Sequence, residues 1–210
     1  MAALTPDALD SLTSGAASAL GRVAERPWSR DVYLAGSAAL ALYCGRRRVA
    51  DLDLMGATNR LASADRRVLL GDRVQMDPRC QVQTARDGYM FIRLADGTAL
   101  RFFSYPYPQI APEQSVAGFA VVSALDLALM KLGAIISRGT RRDFVDLWLL
   151  TRRLPLAEIL DRSGEKFGHV RDFQLQALKG LADRSLVEGE PMPALEPELA
   201  WSEVEAWLET

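Results

Sequence analysis

The spacing of apolar and polar positions changes twice along the chain. Leu9, Leu12, Ala16, Leu20 and Val23 recur at helical spacing, and Thr5-Pro6-Asp7 is a natural helix start, so the pattern predicts an amphipathic packing helix over 5–23. A strand is expected over 31–35, then a Gly36-Ser37 turn, a short helix over 38–44 and a basic turn over 45–48. A second strand follows, in which Asp51 and Asp53 alternate with Leu52 and Leu54. The reading continues with a helix over 57–71, its Arg60, Arg66 and Arg67 outward, and three strands over 80–84, 89–94 and 99–105. Asp87-Gly88 and Asp96-Gly97 supply hairpin turns. A proline-bearing loop runs through 106–122, and from Ser123 the pattern is helical, with helices over 123–138, 141–153, 155–162, 170–182 and 201–208. The order predicts an α+β protein, with a mixed sheet and flanking helices over 1–110 and a helical lobe over 120–210.

Composition narrows the class without naming it. At 49% hydrophobic and 25% charged residues, the 210-residue chain can bury a core. No apolar run is long enough to span a bilayer, and the N-terminal stretch lacks the basic and apolar regions of a signal peptide. Two cysteines, Cys44 and Cys80, fit a reducing cytoplasm better than a disulfide framework. The net charge of −2 hides an asymmetry, because residues 183–210 carry eight acidic groups and one basic group. The remainder is basic, which suits a polyanionic partner. The arginines of 46–48, 138–142 and 152–153 could track a phosphate backbone or be ordinary solvated charge.

Chemistry concentrates in two stretches. In the first, alternate side chains of a strand share a face, so Asp51 and Asp53 point together while Leu52 and Leu54 enter a core. Two adjacent carboxylates repel unless a cation lies between them, and Mg²⁺ is the usual one where phosphates are handled. Gly36 admits close backbone approach, and Ser37 opens a helix whose N-terminus suits phosphate. Taken singly, Ser37 reads as a helix cap and the acid pair as solvated charge; their order along the chain favours a site. In the second stretch, Ser123 and Asp126 form a capping box. Lys131 has Leu127, Ala128, Ala134 and Ile135 as helical neighbours, so it either snorkels to water or points into a cleft. Asp143 and Asp146 follow on one face of the next helix, amid Arg138, Arg141 and Arg142, which also reads as a surface salt-bridge cluster.

The two stretches together resemble a known family. Gly-Ser, an Ala-Leu-Ala-Leu helix, an Arg-rich turn and Asp-Leu-Asp-Leu are similar to the nucleotidyltransferase motif of the DNA polymerase β-like superfamily. The downstream block, Ser123, Asp126, Leu127, Lys131, Leu132, Ala134 and Ile135, then Arg138, Gly139, Arg142, Asp143, Phe144, Asp146 and Leu147, looks like that of the AbiEii/AbiGii abortive-infection toxins of type IV toxin–antitoxin systems. The resemblance covers about residues 31–152 and implies a polymerase β-like sheet lobe followed by a helical lobe. It implies a Mg²⁺-dependent transfer of a nucleotide from an NTP to RNA, at the 3′ end of tRNA, and an antitoxin protein as partner. By position it assigns Asp51 and Asp53 to metal, Gly36, Ser37 and Arg47 to phosphate, and Lys131 to the triphosphate or the leaving pyrophosphate. Asp146 or Asp143 would orient Lys131 or the acceptor. Two positions depart from the pattern: Val49 stands where the family often has Ser, and Arg101 where polymerase β-like enzymes usually carry a third carboxylate. Transfer to a small-molecule or protein hydroxyl, and binding of nucleotide or a partner without turnover, remain open alternatives.

Overall fold

The computed structural model describes residues 4–56 and 61–209. The chain divides into two compact units: residues 2–108 with 112–122, and residues 109–111 with 123–210.

The first unit is built on one seven-stranded mixed sheet. Its strands are β1 (Tyr33–Ala35), β2 (Asp51–Gly56), β3 (Gln81–Arg86), β4 (Tyr89–Arg93), β5 (Ala99–Ser104), β6 (Gln114–Val116) and β7 (Phe119–Val121). The spatial order is β3-β4-β5-β2-β1-β7-β6, and β2 pairs antiparallel with β1 but parallel with β5. Leu52, Leu54, Met90, Ile92, Leu100 and Phe102 are buried on one face, as strand alternation requires. The Trp28 ring meets the edge of Phe102 there, with centroids 5.7 Å apart. Helices α1 (Ser14–Ala24), α2 (Gly36–Cys44) and α3 (Ser63–Met76) complete the unit. All residues from Ala38 to Tyr43 are buried, and the Tyr43 hydroxyl donates to the Val122 carbonyl at 2.7 Å.

Three expectations fail in this unit. The helix expected over 5–23 is a 3-10 turn (Pro6–Ser11) and then α1, because Leu12 is extended and bridges Val49. The amides of Val49 and Thr13 donate across that bridge to Ser11 and Val49, and Thr13 then caps α1 by accepting from the Ala16 amide at 3.2 Å. The helix expected over 57–71 is shifted: α3 begins at Ser63 and continues to Met76, while 57–60, with Arg60, lie outside the described residues. The loop expected over 106–122 contains β6 and β7, turning through Ala117 and Gly118 at positive φ, and β7 extends the sheet beside β1. The Asp-Gly turns hold as expected, with Gly88 and Gly97 at φ of 76° and 89°.

The second unit is helical: α4 (Ala124–Ser137), α5 (Arg141–Thr151), α6 (Leu156–Asp161), α7 (Ser163–Phe167), α8 (Phe173–Ala182) and α9 (Trp201–Leu208). Ser123 caps α4 through the Asp126 amide at 2.9 Å. The helix expected over 170–182 starts only at Phe173, after Asp172 at positive φ, and α7 lies before it. The acidic tail is part of this unit's fabric, since Glu190 accepts from the Arg141 amide at 2.6 Å and Trp201 stacks edge-on to Phe144. Among the described residues, no helix is long and apolar enough to cross a membrane.

Candidate active site

In the sheet unit, β2 carries Asp51, Asp53 and Met55 half-buried on the face opposite its leucines. Asp53 is in register with Ala35 of β1 on one side and Arg101 of β5 on the other, and Arg101 with Phe91 of β4. One row across the sheet therefore reads Ala35, Asp53, Arg101, Phe91. The Arg101 guanidinium lies on both acids: Nη2 donates to Asp51 Oδ2 at 2.7 Å and Nη1 to Asp53 Oδ1 at 3.4 Å. Burial pushes the Arg101 pKa down, but the Asp51 hydrogen bond and the charges of both acids outweigh it and leave it raised. The far side of the guanidinium faces the Phe91 ring, 5.5 Å from Cζ to centroid.

Gly36 explains how the helix comes so near the acids. Its φ is +61°, and a Cβ on it would lie 2.2 Å from Asp53 Oδ2, so only glycine fits. Ala35, at the N-cap of α2, has no side chain with which to cap the first amides of that helix. Ser37 follows in the first turn, and Arg47 lies half-buried in the turn between α2 and β2. Val49, in place of the expected Ser, is held by the bridge to Leu12 and is 7% exposed.

The residues fit Mg²⁺ in the manner usual for that ion, which takes one or two carboxylates from a protein and completes its shell with water and phosphate. Asp51 and Asp53 offer hard oxygens on one partly open face, beside the close approach that Gly36 allows. Among the described residues, no cluster of three or more His, Cys, Asp or Glu makes a fuller cage.

In the helical unit, Lys131 neither snorkels nor sits in a surface cluster. It is 7% exposed, and its Nζ lies 2.6 Å from Asp146 Oδ2 and 3.3 Å from Asp143 Oδ1, both acids being fully buried. This corrects the surface salt-bridge reading: Leu127, Ala128 and Ile135 beside Lys131 are core, and the acids come to it there. Arg138 grips Asp143 with two hydrogen bonds of 2.8 Å, and the Thr140 hydroxyl adds one of 2.6 Å. Burial, the strongest single influence, pushes the Asp143 carboxyl up; the Arg138 hydrogen bonds, the Lys131 charge and the Thr140 hydroxyl override it and hold it at about 2.

The expected cation track is partly consumed internally. Besides Arg138, Arg141 lies over Trp201 and contacts the Glu190 carbonyl, and Arg152 lies over Trp148 at 4.3 Å. Sequence reasoning missed Thr140 as a partner of Asp143, although Thr140-x-x-Asp143 carries a capping-box spacing. It also missed a second buried pair, Lys166 Nζ to Asp126 Oδ1 at 2.8 Å, whose members are 40 residues apart with no local signal joining them.

No family model matches the chain. It is 30% identical over 197 residues to the uncharacterized protein aq_aa25 of Aquifex aeolicus (strain VF5), covering 90% of each. The chain belongs to the family of that protein. Two solved structures are similar across nearly its full length. One, from H. pylori and provisionally assigned as a nucleotidyltransferase, gives a TM-score of 0.55 at 18% identity, over 98% of this chain and 92% of that one. The other, MenT4, a nucleotidyltransferase toxin of Mycobacterium tuberculosis H37Rv, gives 0.52 at 16% identity, over 96% and 84%. The family member described here therefore has the α+β nucleotidyltransferase fold.

Proposed function

We propose that this protein is a toxin-type nucleotidyltransferase that moves a nucleoside monophosphate from an NTP to an RNA acceptor, the 3′ end of tRNA, and that an antitoxin protein neutralises it. The observation that carries the reading is Asp51 and Asp53 on one open face of β2, beside the positive-φ Gly36 and the start of α2, within a nucleotidyltransferase fold. The resemblance of the two sequence blocks to AbiEii/AbiGii toxins and the fold shared with MenT4 support the toxin type.

The acceptor oxygen bonds to the α-phosphorus as the bond from that phosphorus to its bridging oxygen breaks. Pyrophosphate leaves and the hydroxyl proton is lost to water. Little of this is covalent work for the protein; position and charge dominate. Mg²⁺, when bound by Asp51 and Asp53, neutralises phosphate charge and makes the hydroxyl a better nucleophile. Gly36, Ser37 and the α2 amides receive phosphate oxygens, and Arg47 adds a fork suited to them. In the helical unit, Asp146 and Asp143 hold the ammonium of Lys131, the lysine to which the family resemblance gives the polyphosphate charge.

A second reading, nucleotide binding without turnover, is favoured by Arg101, a cation on the two acids in place of a third carboxylate. Both readings meet one experiment: label transfer from each of the four NTPs, with Mg²⁺, onto total tRNA, comparing wild type with Asp53→Ala. Label on tRNA that the substitution abolishes is the expected result. Nucleotide binding with no label on any RNA, in folded protein, overturns the transferase reading in favour of the second.

A further inference from the structure

Arg101 is the charged component of the sheet site to which the proposed chemistry gives no role. The parallel register of β2 and β5 sets it directly beside Asp53, and its fork reaches diagonally to Asp51. Phe91, in register on its other side, offers a ring face to the guanidinium and flanks it opposite the acids. The arrangement is not sealed, for the side chains of Asp51, Asp53 and Arg101 are 42%, 22% and 30% exposed, so water and ions reach it. A divalent ion on this acid pair competes for carboxylates that already pair with the guanidinium through one oxygen each, and it meets a like charge there. A triphosphate alters that contest, since its oxygens suit the arginine fork as well as carboxylates do.

We infer that Arg101 is the resident cation of the acid pair and a gate on its metal. With no nucleotide present it holds Asp51 and Asp53 and disfavours a free divalent ion. When a triphosphate arrives, the guanidinium transfers to phosphate oxygens and the carboxylates become available, so metal and nucleotide enter together. This rests on the reading of Asp51 and Asp53 as the metal carboxylates. It makes Arg101 a phosphate-binding residue as well as the partner of the acids, and its loss moves two affinities in opposite directions: metal binding alone strengthens, and triphosphate binding alone weakens. A merely structural role moves both the same way or neither.

The test uses full-length protein and two probes applied separately: Mn²⁺, followed by the paramagnetic resonance signal of the free ion, and metal-free inorganic triphosphate, followed by titration calorimetry. Arg101→Ala is expected to bind Mn²⁺ about ten-fold or more tightly than wild type and triphosphate about ten-fold or more weakly, with Arg101→Lys between them. Melting in EDTA reports folding, and Mn²⁺ is expected to raise the melting temperature of Arg101→Ala more than that of wild type. Equal or weaker Mn²⁺ binding by Arg101→Ala, while Asp53→Asn abolishes the Mn²⁺ binding of wild type, overturns the gate and leaves the metal reading standing. Absence of Mn²⁺ binding in wild type and Arg101→Ala alike overturns both.

Discussion

The sheet unit and the helical unit each gather acids around a cation, yet they treat those charges in opposite ways. On β2 and β5 the Asp51, Asp53 and Arg101 side chains remain partly exposed, and the pairing is uneven, 2.7 Å to one acid and 3.4 Å to the other. On α4 and α5, Asp143 and Asp146 are fully buried, Lys131 nearly so, and Asp143 is gripped by Arg138, Thr140 and Lys131 together. Asp126 with Lys166 goes further: both are sealed from solvent, and the Asp126 oxygens also accept from the amides of Ile110 and Ala111 and from the Ser123 hydroxyl. Ions taken out of water persist only when geometry and hydrogen bonds compensate the lost hydration. A loosely paired, wet cluster can exchange partners with a ligand, whereas a dry and saturated one holds its shape. The contrast assigns exchange to the strand acids and fixed placement to the helix acids.

The largest effect expected is at the most saturated pair. Asp126→Ala leaves Lys166 charged and buried and strands the Ile110 and Ala111 amides, so unfolding in urea is expected to show a loss of about 3–5 kcal/mol. A loss as small as that of an exposed ion pair would break the distinction drawn here. Asp53→Ala is expected to do the reverse. It leaves the urea midpoint near that of wild type, because the 3.4 Å contact to Arg101 is long and partly open to water, and it lowers transfer by about 3–4 kcal/mol of transition-state stabilisation, roughly 10²- to 10³-fold. Unfolding together with loss of transfer would place Asp53 among the structural acids.

The sheet site was more legible in the sequence than the helical network, for a physical reason. A strand shows its faces at period two, so the shared face of Asp51 and Asp53 and the buried one of Leu52 and Leu54 follow from spacing alone. Lys131 was conspicuous as a charge amid Leu127, Ala128, Ala134 and Ile135, but its burial depends on how α5 lies against α4, which no local pattern contains. The same holds for Asp126 and Lys166, and for Leu12, where pairing with Val49 overrides helical periodicity. β6 and β7, three residues each around Ala117-Gly118, are too short to show alternation and lack the usual Asn or Asp at the turn. Arg101 stood out by its position in the family pattern, while its grip on both acids needed the β2–β5 register.

The intermediate effect concerns pH. Asp143 has its carboxyl lowered in the folded protein to about 2, below its ordinary 3.8. A lowered folded pKa contributes stability that is present above the unfolded value and is lost as pH falls through the folded one. The contribution, about 2 kcal/mol, is therefore expected to be intact above about pH 4 and to disappear as pH falls toward 2. Urea midpoints taken across that window on wild type and Asp143→Asn check it. The substitution is expected to remove part of the acid-limb slope, and an unchanged slope would mean that Arg138, Lys131 and Thr140 are not what holds Asp143 ionised.

The smallest effect is expected where the helical unit carries an ion pair in water. Arg162 Nε donates to Glu165 at 2.8 Å, with side chains 36% and 52% exposed, and the mutual attraction shifts the two pKa values apart. The distance equals that of Lys166 to Asp126, so geometry alone would rank the two pairs together. Hydration separates them: Arg162 and Glu165 stay partly in water within the pair, and salt screens it. Glu165→Gln is expected to leave the melting temperature within error of wild type at any ionic strength. A clear loss at low salt that vanishes at high salt would show that solvent exposure is not what divides the strong charge clusters of this protein from the weak ones.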